Sequence, residues 1–338
     1  MVLTGAQAAT SDPARPFLMT AFNLSQAEIG RLDGGDVVAR TLRVENSREV
    51  ATLGIVRIQT SPSRYVERLT DITTFKRTDD VLQIGTFSTV PQIGDLAALT
   101  IDESDVKRLR VCRVEDCNVR LSADGIERVQ RELDGQGPDA ISKASVLMRQ
   151  LLVDYVRQYR RGGAAAAMEY ASRLPRLNVG REFAALVHDD PITAIYAPRL
   201  RRYLLQYPTP SEQIIDFVYW SKELVRSRPV VSITHVAIAA AVNDSPIRYA
   251  IGSKQLYAMH YFDASLGLTL LVPDPTAPVP ALYVVYVNRS RIDVLDGAFG
   301  GVVRRIVAAK ARAVVVEQLR RLQWVFRQEQ TDTLSPGP

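Results

Sequence analysis

The last third of the chain constrains the fold most, because two long extended segments there precede one long helix. The segments Tyr249–Val272 and Ala281–Leu295 have the pattern of strands, and Gly300-Gly301 then begins a run rich in Ala, Val and Arg. That run has no further Gly or Pro before Pro336, so it predicts one continuous helix. Antiparallel strands followed by a closing helix predict a curved sheet around a C-terminal helix, an arrangement that often encloses a cavity.

Length and apolar content set the class of protein. The chain of 338 residues can bury a large core, either as one elaborated domain or as two. Its longest nearly apolar run, Val230–Val242, is interrupted by Ser232, Thr234 and His235. This run is too short and too polar to span a bilayer, so we expect a soluble chain.

The net charge of +5 comes from basic residues that are dispersed among carboxylates rather than gathered into one tract. Such dispersed charge allows weak contact with anionic lipid surfaces. No motif for sequence-specific nucleic-acid binding accompanies it, so we expect no nucleic-acid partner. The sequence also contains no phosphate loop, zinc-protease motif or nucleophile elbow, so we expect no cofactor and no metal.

Two cysteines bear on the location of the protein. Cys112 and Cys117 can form a local disulfide if the chain turns between them, and two reduced core cysteines are the alternative. A zinc site would need a second pair of ligands. Ala6-Gln7-Ala8 resembles the small-residue end of a secretory signal. Together these features favour a periplasmic or secreted location over a cytoplasmic one.

Periodicity predicts strands on both sides of a long helical block. Alternating apolar residues predict strands over 36–45, 49–60, 81–90, 111–121 and 230–242. Helix-period patterns, with N-caps at Ser25, Ser61 and Ser122, predict helices over 17–32, 61–77, 105–110 and 122–133. Five more helices are predicted over 141–160, 164–172, 181–188, 192–207 and 211–227.

The simplest organisation is one α+β domain in which a large all-helical insertion separates two groups of strands. Its parts are an N-terminal extension 1–35, a first α+β part 36–121, a helical insertion 122–228, a second α+β part with the C-terminal helix 229–328, and a tail 329–338. A separate N-terminal β domain followed by a C-terminal α+β domain is the alternative.

Two stretches resemble the START/Bet v 1-like helix-grip superfamily. IVRIQTSPSRYVERLTDITTFKRTDDVLQIG, from Ile55, is similar to its opening strand, helix and second strand. ALYVVYVNRSRIDVLDGAFGGVVRRIVAAKARAVVVEQLRRLQ, from Ala281, resembles its last strand and gripping helix. The resemblance covers about 55–90 and 229–327 and leaves 122–228 outside the family pattern. It implies a helix-grip fold with a cavity for a hydrophobic or amphipathic molecule between sheet and helix. The stretches YWSKE and HYFDASLGLT also resemble uncharacterised bacterial proteins, which implies no function.

The strand that starts at Tyr249 carries the candidate ligand-binding face. In an extended conformation, one face of it presents Tyr249, Ile251, Ser253, Gln255, Tyr257, Met259, Tyr261 and Asp263. Aromatic bodies with polar tips suit a ligand cavity, where apolar walls bind and a few polar groups orient the ligand. A sheet face with hydrogen-bonded tyrosines under the helix is the alternative.

Three residues in the strand region are candidate acid and base groups. Histidine as a residue type can move protons near neutral pH, so His235 and His260 are candidates, and Asp263 can pair with either of them. Hydrogen-bonded structural roles for these histidines are the alternative. Because the chain has three histidines in separate contexts, a histidine metal site is not expected.

Two arginines and a tryptophan complete the set of candidate ligand-binding residues. Arg289 and Arg291 alternate along one strand, so they can clamp an anionic head group or form an ion-pair ladder with nearby aspartates. Trp220, within YWSKE, either packs the helical block onto the core or covers a pocket.

The leading hypothesis is non-enzymatic binding or transfer of a hydrophobic or amphipathic small molecule, such as a lipid, sterol or isoprenoid. A cyclase or hydrolase that uses the His and Asp candidates in the same cavity is one alternative. An interaction protein that docks a partner through the helical insertion is another. A carrier predicts a mainly apolar cavity, an enzyme predicts His and Asp side chains within hydrogen-bond reach, and a scaffold predicts a filled sheet–helix interface.

Overall fold

The computed structural model describes residues 12–133, 139–209, 211, 213–241, 245–296 and 300–334. Its centre is an antiparallel sheet of eight strands: β1 (Val38–Leu42), β2 (Glu49–Ile58), β3 (Val81–Thr86), β6 (Ile214–Val225), β7 (Arg228–Ala240), β8 (Tyr249–Ala258), β9 (Phe262–Pro273) and β10 (Leu282–Ile292). Two short strands form a separate pair, β4 (Glu169–Tyr170) and β5 (Leu177–Asn178). The order across the large sheet is β1-β2-β10-β9-β8-β7-β6-β3.

Helices flank this sheet, so the fold is α+β. They are α1 (Ala14–Phe22), α2 (Gln26–Asp33), α3 (Pro62–Thr70), α4 (Ile72–Phe75), α5 (Glu103–Val111), α6 (Ala123–Glu132), α7 (Ala140–Gly162), α8 (Val179–His188), α9 (Pro191–Tyr196), α10 (Pro198–Gln206) and α11 (Gly300–Leu334). The side chains of Ser25, Ser61 and Ser122 each accept the backbone N–H three residues later, which confirms the three predicted N-caps.

Pairing between segments that are distant in sequence joins the strands into one sheet. β2, from the N-terminal part, pairs with β10 near the C-terminus, while β3 pairs with β6 at the opposite end. Strands from before and after the main helical segment therefore belong to the same sheet.

Strand alternation gives the sheet two different faces. The packed face, on which Trp220, Leu268 and Val285 lie, is covered by α1, α2, α5 to α8 and α10. The open face, on which Tyr219 and Tyr286 lie, carries α3, α4 and α11. These two names are kept below.

The helix α11 packs along the β1–β2 end of the open face. Its closest approach is at Gly54, where an added Cβ would lie 2.5 Å from Val315 and 2.7 Å from Leu319. Because real Cβ atoms do not approach other atoms so closely, the missing side chain of Gly54 lets α11 settle onto β2.

One helix prediction is wrong in a way that changes the organisation. Residues 211–227 were expected to form a helix, but Ile214–Val225 is the strand β6, paired along its length with β7. Phe217, Tyr219 and Ser221 face one side and alternate with buried Val218 and Trp220 on the other, so the true period is two. The segment 122–228 is therefore not all-helical, since it contains β4, β5 and β6.

Other local predictions also need correction. The predicted strand 111–121 is a loop with an isolated bridge between Arg113 and Asp116. The predicted helix 164–172 is one 3-10 turn followed by β4. The predicted helix 192–207 is two helices, because Pro198 begins a new one after the non-helical Ala197.

The first extended segment of the last third is two strands rather than one. Between β8 and β9 the chain turns at 259–261, where Tyr261 has a φ of 66°. The predicted alternation from Tyr249 to Asp263 consequently ends before this turn.

Candidate functional site

Several half-buried side chains lie on the open face between α11 and the end of α4. At the end of the strands near Leu271 and Val284, the sheet is covered by α3 through Tyr65, Val66 and Leu69. At the other end of these strands, the sheet surface between the helices is only partly covered. We call this partly covered region the groove, and it is lined by the half-buried side chains Ser253, Gln255, Ser265, Tyr286 and Asn288.

The strand register places Ser253 and Asn288 in one row across the sheet, on either side of Gly267. One row across the sheet runs through Val236, Ser253, Gly267, Asn288 and Thr52, on five neighbouring strands. Ser253 and Asn288 are two strands apart, roughly 10 Å, so a small molecule that spans this distance can contact both of them.

Gly267 lets neighbouring side chains pack close to the floor of the groove. A Cβ added there would lie 3.5 Å from the ring and the hydroxyl of Tyr286, and 3.3 Å from Ser253. The ring of Tyr286 therefore lies over the Gly267 backbone, and its apolar body forms part of the groove beside polar neighbours.

Hydrogen bonds hold the β9–β10 side of the groove in place. The Ser265 and Ser290 hydroxyls are 2.8 Å apart, and the Ser290 hydroxyl donates to Asn288 Oδ1 at 2.9 Å. Asn288 Nδ2 donates to the Tyr286 hydroxyl and to Ser265 Oγ, both at 3.4 Å. Burial raises the pKa of Tyr286, so this phenol stays neutral and can both donate and accept.

The β6 side of the groove carries an ion pair. Lys76, just after α4, donates to Glu223 Oε1 at 2.8 Å and to the Tyr219 hydroxyl at 3.4 Å. Burial raises the pKa of Glu223, but Lys76 outweighs this effect and holds that pKa below its usual value. Because both partners are charged and paired, this side of the groove contributes little net charge.

Thr52 marks the end of the row beneath α11. Its side chain is 1% exposed, and its Oγ1 has no hydrogen-bond partner among the described residues. A buried hydroxyl without a partner costs on the order of 1–3 kcal/mol. It lies directly opposite Asn288, which is the nearest groove residue in this row.

The predicted ligand-binding face divides between the two faces of the sheet. Tyr249 and Gln255 lie on the open face with Ser253. A bulge at 255–257 on β8 interrupts the alternation, so Tyr257 packs among the helices of the packed face, as Met259 does beyond the strand. Tyr261 lies in the following turn, where Arg228 contacts its ring.

The three acid and base candidates do not come together. His235 is fully buried on the packed face, where Nε2 lies 2.8 Å from Asp216 and Nδ1 lies 2.9 Å from the Tyr159 hydroxyl. Burial lowers the pKa of His235, which keeps the ring neutral between these two partners. This arrangement joins α7 to the sheet, and Asp263 is not part of it.

His260 lies in the turn after β8. Its Nε2 is 3.2 Å from Asp105 and 2.9 Å from Arg228. Burial opposes ionisation of Asp105, but hydrogen bonds from His260 and Arg228 lower its pKa to about 2. This cluster attaches α5 to the β6–β7 hairpin.

Asp263 occupies a third cluster, at the start of β9. Its carboxylate is 2.7 Å from Arg120 and 3.2 Å from Arg48. Burial raises the pKa of Asp263 although these guanidiniums oppose the shift. His235, His260 and Asp263 are thus held in separate structural contacts rather than in one acid–base pair.

Arg289 and Arg291 point from β10 into the packed face. Arg289 is 2.6 Å from Glu49, and Arg291 is 2.9 Å from Glu182. Asp189, at the end of α8, lies 3.4 Å from Arg291. These ion pairs fasten α8 to the sheet on the side away from the groove.

Trp220 is also on the packed face. It is buried among the helices, and its ring N–H donates to the Asp95 carbonyl at 2.8 Å. The two cysteines form a disulfide. It joins Cys112, which follows α5, to Cys117, and this is the pairing that their spacing allows.

Several groove residues were missed from the sequence. Thr52, Ser265 and Asn288 were not among the candidates, and Tyr286 was not singled out. A signal was present, since Tyr286, Asn288 and Ser290 alternate with apolar or charged residues in YVNRS and so share one strand face. Thr52 gave no such signal, because only its pairing with β10 places it in the row.

A surface pocket of about 130 Å³ lies elsewhere, in the helical layer over the packed face. It is lined by Ile93, Arg128, Gln150, Val153, Asp154 and Arg157. Arg128, Asp154 and Arg157 make ion pairs with one another or with close neighbours, so these charges are already engaged.

In the described ranges, no group of three or more His, Cys, Asp or Glu side chains is arranged to hold a metal ion. None of the described helices has the length and apolar content needed to cross a bilayer. The chain matches no protein-family model, no curated protein and no solved structure.

Proposed function

We propose that this protein binds an amphipathic small molecule, such as a lipid, sterol or isoprenoid, in the groove of the open face. The observation that carries the proposal is the set of half-buried, uncharged polar side chains on neighbouring strands, between helices that cover the rest of that face. Sites for small ligands combine apolar walls with a few convergent polar groups, and the groove has both.

The apolar walls come from both flanks of the groove. Phe75 of α4, Tyr286 of β10 and Val316 of α11 are partly buried and pack at the edges of the apolar cluster under α3. A hydrocarbon portion of the ligand fits against these walls. The hydroxyl and amide groups of Ser253, Asn288 and their neighbours are placed to bind its polar end.

The resemblance to the START/Bet v 1-like helix-grip superfamily supports the same region, because in that fold the ligand lies between the sheet and the C-terminal helix. In this chain the polar side chains in the floor of the groove are uncharged. The charges of Lys76 and Glu223 at its β6 side balance each other. The preferred ligand therefore has a neutral polar group that donates and accepts hydrogen bonds.

The alternatives have less support. A cyclase or hydrolase built on His235, His260 and Asp263 would need these groups to meet, and each lies in a different cluster. Docking through the helical layer would need one apolar patch, whereas exposed Ile141 and Ile195 belong to separate helices.

Native mass spectrometry and organic extraction of the purified protein test the proposal. We expect wild type to carry a bound small molecule and Ser253→Trp, which fills the groove, to carry none. The matched control, Ser104→Trp, places the same side chain on the exposed surface of α5 and should retain the ligand. Wild type without any ligand, or retention by Ser253→Trp, contradicts binding in this groove.

A periplasmic or secreted location is proposed with this function, because disulfides persist mainly in oxidising compartments. The disulfide Cys112–Cys117 is the supporting observation, and Ala6-Gln7-Ala8 lies outside the described residues. Thiol labelling of the protein immediately on cell lysis, with and without prior reduction, tests it. Labelling without reduction would favour the cytoplasmic alternative.

A further inference from the structure

The outward face of α11 is exposed along a helix of 35 residues, roughly 50 Å long. Its inward side is anchored on the sheet through Val307, Val315 and Leu319. The opposite side carries two large apolar side chains in water, Ile306 at 52% and Trp324 at 60% exposure. These two residues are 18 positions apart, which is about five turns, so they lie on one line along the helix.

Basic side chains flank that line. Arg320 and Arg327 lie within about 60° of it on one side and Lys310 within about 60° on the other, and all three are exposed. Glu317 is the carboxylate among the described side chains of this outward face. A stable globular helix gains little from an exposed tryptophan, but an apolar line between cations suits the interface of an anionic lipid surface.

We infer that the outward face of α11 docks on anionic lipid surfaces. The charge complementarity selects this partner: among the described side chains of this face three cations accompany one carboxylate, and the aromatic ring can enter the head-group region between them. The docked helix is the same helix that flanks the groove, so a membrane-bound protein would hold the groove beside the bilayer. The inference does not depend on the groove ligand.

Vesicle cosedimentation tests the docking directly. The full chain is mixed with vesicles of phosphatidylcholine alone or of phosphatidylcholine with phosphatidylglycerol. We expect binding to the anionic vesicles that weakens as the salt concentration rises, and little binding to the neutral vesicles. Equal binding to both kinds, or to neither, would overturn the inference.

Tryptophan emission identifies the docking face, because the chain has two tryptophans and Trp220 is buried. Anionic vesicles should shift wild-type emission to shorter wavelength, and Trp324→Phe should abolish the shift while retaining Trp220. An unchanged shift in Trp324→Phe would assign the contact to another surface. A shift that appears without vesicles as protein concentration rises would assign this face to a second copy, and would likewise overturn the inference.

Charge variants measure the contribution of the flanking cations. Lys310→Gln/Arg320→Gln should lower partitioning onto anionic vesicles about thirtyfold, because each basic side chain near such a surface contributes about fivefold. The control Arg131→Gln/Arg181→Gln removes two exposed charges from the helical layer over the packed face. An equal loss in this control would show that total charge, and not α11, governs binding.

Discussion

The two faces of the central sheet differ in how their polar groups are satisfied. On the packed face, polar side chains such as His235, Arg289 and Arg291 have protein partners that attach individual helices to individual strands. On the open face, Ser253 and Asn288 are half-buried, and the nearby Thr52 hydroxyl has no described partner. Polar groups on the first face mainly attach helices to strands, whereas those on the second line the groove in which we propose that a ligand binds.

The largest expected loss of stability comes from a substitution on the packed face. Arg289→Met leaves the carboxylate of Glu49, which is 1% exposed, without its closer ion-pair partner, while Arg291 remains 3.9 Å away. Loss of one member of a buried pair costs about 3–5 kcal/mol, so we expect this decrease in the free energy of unfolding in urea titrations. The control Arg31→Met, in an exposed pair with Asp36, should cost less than about 1 kcal/mol. A small loss for Arg289→Met would contradict a stabilising role of the network.

The buried amine of Lys254 destabilises the packed face rather than stabilising it. It lies among Tyr159 and Phe183, and burial lowers its pKa from 10.5 to about 8. Ionising it in the folded state therefore costs up to about 3 kcal/mol below pH 8. Lys254→Met should raise the free energy of unfolding at pH 7 by about 2–3 kcal/mol.

The pH dependence gives the sign of this effect. Since the folded-state pKa is the lower one, wild-type stability relative to Lys254→Met should rise between pH 8 and 10.5 and then level off. Urea titrations of both proteins across this range check it. A stability difference that does not change with pH would show that lost packing, not ionisation, separates the two proteins.

A smaller effect is expected where α11 meets the open face. Gly54→Ala forces a Cβ against Val315 and Leu319, and such overpacking costs about 1–3 kcal/mol. Thermal unfolding followed by circular dichroism measures the loss. The control Gly30→Ala, in α2 with open space around it, should stabilise by about 0.5–1 kcal/mol. If both substitutions stabilise the protein, α11 does not pack on β2 as closely as described.

The smallest effect on stability should come from the floor of the groove. Asn288→Ala removes two long hydrogen bonds and one of 2.9 Å from a half-buried site, so we expect a decrease of about 1 kcal/mol in the free energy of unfolding. Affinity for the extracted ligand should nevertheless fall about fivefold to tenfold, as measured by titration calorimetry. A large loss of stability with unchanged affinity would show that Asn288 stabilises the fold, as the polar groups of the packed face do, and does not bind the ligand.

Local signals in the sequence predicted much of the fold but not the arrangement of its faces. The caps Ser25, Ser61 and Ser122 act within one turn of the chain, and sequence alone placed them correctly. Residues 211–227 were misread because helix-favouring residues such as Lys222 and Glu223 concealed a period of two. Pairing with β7 decides that segment, and pairing depends on residues far from it in sequence.

The same distinction applies to the groove. The sequence by itself determined that the last third forms strands and a C-terminal helix, because periodicity and the absence of helix breakers are local properties. Only the tertiary structure decided that a bulge in β8 turns Tyr257 away from Gln255, and that Thr52 lies beside Asn288. A register change of one residue reverses which face a side chain occupies, and register is fixed by contacts between strands rather than within them.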